Sequence, residues 1–393
     1  MSGEVKQNTS VATGVIATAP SATESASDPT TSTNPENVGS EWHNTTTGQI
    51  FICNDNTANV NKWTGQKGVS KQVNDRGVIG GGNPGSDNAG NQQNGNINTI
   101  SYQGIMSGGL MIDFGDLSLA RSYLSATSNG TTDRGVWIAG GDASFNPLDR
   151  IDYVTISTPG DATDFGNFRS CYGPAACSNG TTDKAVAVGG YTGGFLNSMG
   201  GFNISTTGNY TNEGILTVNR YTVGATSNGT HDRGLFVGGA WRSGSGGLNV
   251  SMDYRTVSSS GSASTFCSMD EGRIGVSCLS NDTNDRGILI GGSIQSTYTT
   301  FKGSRMQFVN ITSTSGASHF GQTINCGRTK PNTFSNGTGE RGVILGGYFV
   351  TEPQTMVSEC EYITISTLGD SSAWGDIGFV NAYGNGGFSN SAG

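Results

Sequence analysis

The sequence predicts an all-β protein built from six copies of one small antiparallel sheet. The first observation behind this is a recurring segment. Residues 128–142 read SNGTTDRGVWIAGGD, and variants stand at 74–82 (NDRGVIGGG), 178–190 (SNGTTDKAVAVGG), 227–239 (SNGTHDRGLFVGG), 280–292 (SNDTNDRGILIGG) and 335–347 (SNGTGERGVILGG). The second is the spacing. The acidic residues Asp75, Asp133, Asp183, Asp232, Asp285 and Glu340 stand 49 to 58 residues apart, and a near-constant period of about 50 residues belongs to an array or a propeller. The third is composition. A chain of 393 residues with 63 glycines, 33% apolar and only 13% charged residues suits many short strands and turns better than one large apolar core.

Each copy reads as a hairpin. A run of small residues such as Ser125-Ala126-Thr127 leads into a turn of Asn, Gly, Thr and Asp, residues that supply positive φ or cap their own backbone. An unbroken apolar run follows, such as Val136-Trp137-Ile138-Ala139, as expected of a strand buried on both faces. A Gly-Gly pair ends it, fitting close approach of neighbouring backbone. A second hairpin comes next, seen in DYVTISTPGDATDFG at 152–166 and EYITISTLGDSSAWGD at 361–376. One aromatic per copy (Phe114, Phe165, Tyr210, Phe266, Phe320, Trp374) is expected to pack between sheets, and a basic residue opens the next unit at Arg121, Arg169, Arg220, Arg273 and Arg328. The recurring Asp-Arg-Gly is read as scaffold, its carboxylate on turn N–H groups and its cation reaching a neighbouring sheet.

These residues resemble the kelch repeat, which has the same basic residue, small-residue strand, turn, apolar strand ending in Gly-Gly, and later aromatic. The resemblance covers residues 71–393 and implies a six-bladed β-propeller. The Arg-Gly-apolar-Gly-Gly and Thr-Ile-Ser-Thr-x-Gly-Asp wording is similar to kelch-like repeats in virion proteins of marine bacteriophages. The first copy lacks its leading strand, whereas the C-terminal YGNGGFSNSAG at 383–393 matches TFSNG at 333–337. That segment is expected to pair with residues 78–82 and close the ring, which removes two open sheet edges. Ala382 stands where the other copies place the opening basic residue.

Before the repeats, residues 1–35 are rich in Ser, Thr, Ala and Pro and read as an extended low-complexity arm that another surface must hold. Residues 36–70 read as a small β attachment module, with Trp42, Ile50-Phe51-Ile52 and Trp63 on two or three short strands. Trp42, Asn44, Thr45, Thr46 and Gly48 resemble modules near the N-terminus of phage tail and fibre proteins, which implies attachment or trimerisation. So small a sheet is marginal alone and calls for a partner.

Little here points to catalysis. The three histidines, His43, His231 and His319, are scattered, so no metal site is expected. There is no Gly-x-Ser-x-Gly elbow and no phosphate loop, and no cofactor is implied. The seven cysteines include no CxxC and read as small buried thiols. A net charge of −9 without a basic block argues against nucleic acid, no apolar run is long enough to span a membrane, and residues 1–20 lack the features of a secretion signal. What varies between copies is the loop after each Gly-Gly, from NPGSDNAGNQQNGNIN at 83–98 to YFVTEPQTMVSE at 348–359. Variable loops on a regular scaffold are where binding concentrates. Their aromatics, Phe145, Tyr191, Phe195, Trp241, Tyr298 and Tyr348, are the candidate ligand-binding residues, suited to sugar rings.

The expectation is a structural virion protein, oligomeric in the particle, joined to other virion proteins through residues 1–70, with host-surface carbohydrate as candidate ligand. The alternative is a lectin or a galactose-oxidase-like enzyme on a kelch propeller. Galactose oxidases use a copper site to which no positions here correspond.

Overall fold

A computed structural model of the chain describes residues 22–27, 29–30, 32–45, 50–59, 61–66, 75–84, 95–106, 109–241, 247–294, 303–324, 327–349, 355–356, 358–377, 384 and 386–390. It divides into two compact units, Met1–Val73 and Asn74–Gly393.

The first unit holds a four-stranded sheet. Glu41–Asn44, Ile50–Asp55 and Lys62–Gln66 form an antiparallel meander, and Thr23–Ser25 adds to its edge in parallel with Trp42–Asn44. A stretch read from composition as an extended arm thus contributes a strand. Trp42 Nε1 donates to the Ser27 carbonyl at 2.8 Å, tying that stretch to the meander. Residues 1–21, most of the predicted arm, lie outside the described residues.

The second unit repeats one antiparallel design. Sheet II shows it in full: Ser125–Ser128, Arg134–Ile138, Leu148–Thr155 and Thr163–Cys171 pair in sequence order. Sheet III (175–215), sheet IV (224–268) and sheet V (277–322) repeat it. Sheet VI (332–376) adds the short parallel strand Gly109–Leu110 at its edge. Sheet I takes its first strand from the C-terminus. Gly386–Ser389 pairs with Arg76–Gly80, Phe388 opposite Val78, followed by Thr99–Gly104 and Ile112–Asp116.

The sheets neighbour one another in cyclic order, and the first strand of VI lies beside that of I. Six apolar clusters fill the gaps, each drawing on two adjacent sheets. Val136, Ile151 and Phe165 of sheet II meet Ala185, Ala187 and Phe202 of III. Ile79 of sheet I likewise meets Val343, Leu345 and Trp374 of VI.

Polar bonds run around the same cycle. In sheets II to VI the Asn-Gly-Thr-Asp segment forms a 3₁₀ turn ended by an acidic residue in the left-handed region, with φ of 66° to 75°. Asp tolerates that conformation because its short carboxylate bonds locally. Asn129 Oδ1 accepts the N–H of Arg134 at 2.8 Å, closing its own turn, while its amide donates to Asp183 of the next sheet at 2.8 Å. Asn179 to Asp232, Asn228 to Asp285 and Asn281 to Glu340 repeat the bridge, and the C-terminal Asn390 supplies it to Asp133. The adjoining arginines also reach forward. Arg134, Arg233 and Arg286 donate to the carbonyls of Ser205, Thr312 and Ser366 at 2.7–2.8 Å. Each also lies over an aromatic of its own sheet, Tyr153, Tyr254 or Phe308. The Asp-Arg-Gly motif is spent on joining neighbours.

Two of the sequence assignments shift in sheet III. Cys171, not Arg169, stands level with Arg121, Arg220, Arg273 and Arg328, each of which is fully or almost fully buried. Those four meet a polar side chain on the third strand: Asp152, Asp253, Gln307 and Glu361. Sheet III has Gly200 there, opposite Ala187, and a Cβ on Gly200 would run into Tyr210 and Phe168. Arg169 nonetheless sends its guanidinium into the same space from two residues earlier, donating to the Ser198 carbonyl at 2.6 Å, the counterpart of the Ser251, Arg305 and Glu359 carbonyls that Arg220, Arg273 and Arg328 reach. The register expected for Tyr210, that of Phe114, Phe165, Phe266, Phe320 and Trp374, belongs to Glu213. Glu213 joins Lys184 and Arg255 in an ion-paired group, in the room left by Gly201.

The glycine turns of the second hairpins dock on the preceding sheet, as Gly208, Gly261 and Gly369 show. Gly261 N donates to the Glu213 carbonyl at 2.6 Å, covering an otherwise open edge. Gly214 has φ +140°, and a Cβ there would strike the Gly261 carbonyl. Gly214→Ala combines that collision with backbone strain and should cost about 2–4 kcal/mol. Urea unfolding measures it, and a loss under about 0.5 kcal/mol would contradict the docking.

Candidate functional site

Three of the loop aromatics, Phe145, Tyr191 and Phe195, lie on the loops between the second and third strands of sheets II and III. Phe145 lies at the tip of the 142–146 loop, which Asp142 organises by accepting N–H groups of Ser144 and Asn146 and the Asn146 amide, all at 2.8 Å. Those bonds, the Asn146 amide foremost, hold the Asp142 carboxyl below the ordinary carboxylate range. Phe145 has φ +60° and is 46% exposed, a strained and solvent-facing position for a large ring. Tyr191 follows the Gly-Gly pair of sheet III. Its backbone bonds reciprocally with Tyr172, and it bridges to Phe195 across a short loop.

Three tyrosines that the loop reading did not single out complete the group. Tyr123, Tyr172 and Tyr221 lie on the links that lead into the first strands of sheets II, III and IV. Tyr123 stands 5.8 Å from Phe145 and 6.0 Å from Tyr172 between ring centroids. Tyr172 is 5.4 Å from Tyr191 and 6.4 Å from Tyr221. Phe195 is 5.2 Å from Tyr191 and 5.5 Å from Tyr221. Six rings therefore make one continuous, partly exposed surface, set at steep angles as the ring quadrupole favours. Burial, with the Tyr191 and Tyr221 hydroxyls close by, pushes the Tyr172 hydroxyl above its usual value.

Trp241 is 45% exposed and follows Ala240, whose backbone bridges to Tyr221. Tyr348 lies on the short strand Tyr348–Phe349, which pairs with Arg328–Thr329; its side chain, and all of Tyr298, lie outside the described residues. The signal that marks Tyr123, Tyr172 and Tyr221 is irregularity. At these registers the other copies carry residues such as Ser122, Gly275 and Thr329, so the rings are not required by the scaffold.

Beneath this face the first strands of all six sheets enclose adjoining cavities of about 90, 140 and 130 Å³. The two larger ones share Ala126, Ala176, Ala225, Cys278, Thr333 and Gly387, a lining of small uncharged groups. Burial pushes the Cys278 and Cys177 thiols up to about 12, which makes them space-fillers rather than nucleophiles. Among the described residues, no three His, Cys, Asp or Glu side chains group as they would around a metal ion. The chemistry on offer is apolar ring faces edged by phenolic hydroxyls, suited to ligands with an apolar C–H face and a hydroxylated rim. No protein-family model matches the chain, and no curated protein resembles it at a significant level.

Proposed function

We propose that this chain is a structural virion protein of a bacteriophage, held to other virion proteins through residues 1–70 and displaying a six-bladed kelch-like β-propeller to host-surface glycans. The role is binding rather than catalysis. The observation that carries the reading is the aromatic face, six adjoining rings on links and variable loops of a scaffold that is otherwise repetitive. A pyranose presents C–H bonds on one side and hydroxyls at its edge, which suits tyrosine rings. The cyclic order of the six sheets, their bridging Asn–Asp bonds and the paired C-terminal strand support the propeller. The attachment role is supported by the separate small unit at Met1–Val73, whose four-stranded sheet has strands of three to six residues and gains from a partner surface. Within the particle the chain is a homo-oligomer.

The test is a chain lacking residues 1–68. It should remain soluble, with the thermal transition of the repeat unit unchanged, and should fail to enter particles in a complementation assay. Normal incorporation of the shortened chain would overturn the attachment role.

A further inference from the structure

The smallest of the cavities opens within a ring of six equivalent positions, one on the link leading into each first strand: Tyr123, Gly173, Thr222, Gly275, Lys330 and Gly384. All six are left-handed, with φ between 50° and 70°. Three use glycine, for which this conformation carries no strain. Tyr123, Thr222 and Lys330 do not, and left-handed geometry strains a side chain of any bulk, a β-branched Thr most of all. The strained residues fall on alternate sheets, II, IV and VI, and each, through backbone or side chain, crowds the space a Cβ would need on the glycine before it in the ring. A Cβ on Gly275 would come within 2.9 Å of Lys330 Cγ, and one on Gly384 within 3.0 Å of Tyr123 N. Glycine at all six positions would give a less strained ring, so packing gives no reason for the three side chains.

The backbone of the ring is already used. Gly173 N donates to Tyr123 O at 2.7 Å, Thr222 to Gly173 at 2.8 Å, Gly275 to Thr222 at 3.3 Å, and Lys330 to Gly275 at 2.8 Å. Recognition at this mouth therefore falls to side chains. Among the described residues lining it, Lys330 is the one of charged type, on a chain of net charge −9, and its Nζ lies 3.7 Å from the Tyr123 ring centroid. Tyr123 is also the first ring of the aromatic face, so cation and sugar-stacking surface are continuous.

We propose that this mouth binds an acidic saccharide, its pyranose rings lying on Tyr123, Tyr172, Tyr191 and Tyr221 and its carboxylate meeting Lys330. This rests on the glycan-binding reading above and names the ligand class. Burial holds the Lys330 ammonium well below its usual value, so a carboxylate at the mouth would favour its charged form. In so confined a place a charged contact outweighs the same contact at an open surface.

Titration calorimetry on the full chain tests this with two probes, an oligogalacturonate tetramer and the same tetramer with its carboxyls reduced to alcohols. The acidic probe should bind at least 10-fold more tightly. Lys330→Gly places at this position the residue that three other copies carry, so it should fold with an equal or higher Tm while losing that 10-fold preference. Lys330→Arg should keep most of it. Tyr172→Ser, with the residue found at Ser122, should weaken both probes about 10-fold. The proposal is overturned if the wild-type chain ignores the acidic probe at millimolar concentration, if both probes bind equally, or if Lys330→Gly binds undiminished. Particle incorporation is read separately, so failure of the attachment role leaves these outcomes intact.

Discussion

Removing residues 386–393 should abolish cooperative folding of the Asn74–Gly393 unit. That segment supplies the first strand of sheet I, and without it Arg76–Gly80 becomes an open edge. The strand also anchors both neighbours. Phe388 is 4% exposed, its ring 4.6 Å from that of Trp137 in sheet II, and Trp137 Nε1 donates to the Gly386 carbonyl at 3.0 Å. Asn390 accepts the N–H of Arg76 at 2.9 Å and donates to Asp133 at 2.9 Å. On the other side, Ser389 Oγ donates to the Ser335 carbonyl of sheet VI at 2.7 Å. Deletion strips apolar cover from the cluster between sheets I and II and exposes unpaired backbone to other chains. Phe388→Ala alone should cost about 3–5 kcal/mol, the range for a buried ring replaced by a cavity. Thermal unfolding reads the point variant, and size exclusion reads the deletion, which should aggregate. A deletion that melts like the full chain would mean that the cycle does not depend on its C-terminal strand.

The scaffold was legible because its constraints recur. Asn-Gly-Thr-Asp marks the turns since only residues at ease in left-handed geometry close them, and five copies agree on φ within a narrow range. The pairing of the C-terminal strand was legible from Phe388 and Asn390, which match Phe334 and Asn336 in spacing. What failed to show was compensation across strands. Arg169 reads as the opening basic residue of its copy, yet it lies two positions from the shared register and reaches the Ser198 carbonyl from there, stacked on Phe168 at 4.4 Å. Tyr210 reads as the recurring inter-sheet ring, though Glu213 holds that place. Each shift answers a change on another strand, Gly200 or Gly201, and single-strand patterns carry no record of it. The aromatic face was legible in its loop members Phe145, Tyr191 and Phe195. Tyr123, Tyr172 and Tyr221 escaped because links between repeats look like connectors until the topology places them beside those loops.

That same compensation yields the other large effect. Arg121 is fully buried, with Nη1 2.7 Å from Asp152, which also accepts the Ser118 N–H and hydroxyl. Desolvation pulls the Arg121 pKa down while Asp152 opposes it, so the pair stands or falls together. Asp152→Ala should cost about 3–5 kcal/mol, because it leaves a cation in a dry interior rather than because the pair itself is so favourable. Adding Arg121→Met should then recover part of the loss, giving a coupling of about 2–3 kcal/mol in a double-mutant cycle read by urea unfolding. The repeats contain the precedent. Where the third strand offers Gly200, Cys171 stands at the shared register, and Arg169 reaches the Ser198 carbonyl from two residues earlier, its guanidinium over Phe168 and Tyr210 rather than beside a carboxylate. In the first copy the sequence has Ala382 where the others have the opening basic residue, and the third strand of sheet I has Ser101. At the shared register arginine is thus found where the third strand offers a carboxylate or Gln307, whereas sheet III, which offers Gly, has Cys171 there. If the double variant proved no more stable than Asp152→Ala alone, that correlation would have to come from packing volume and not from charge.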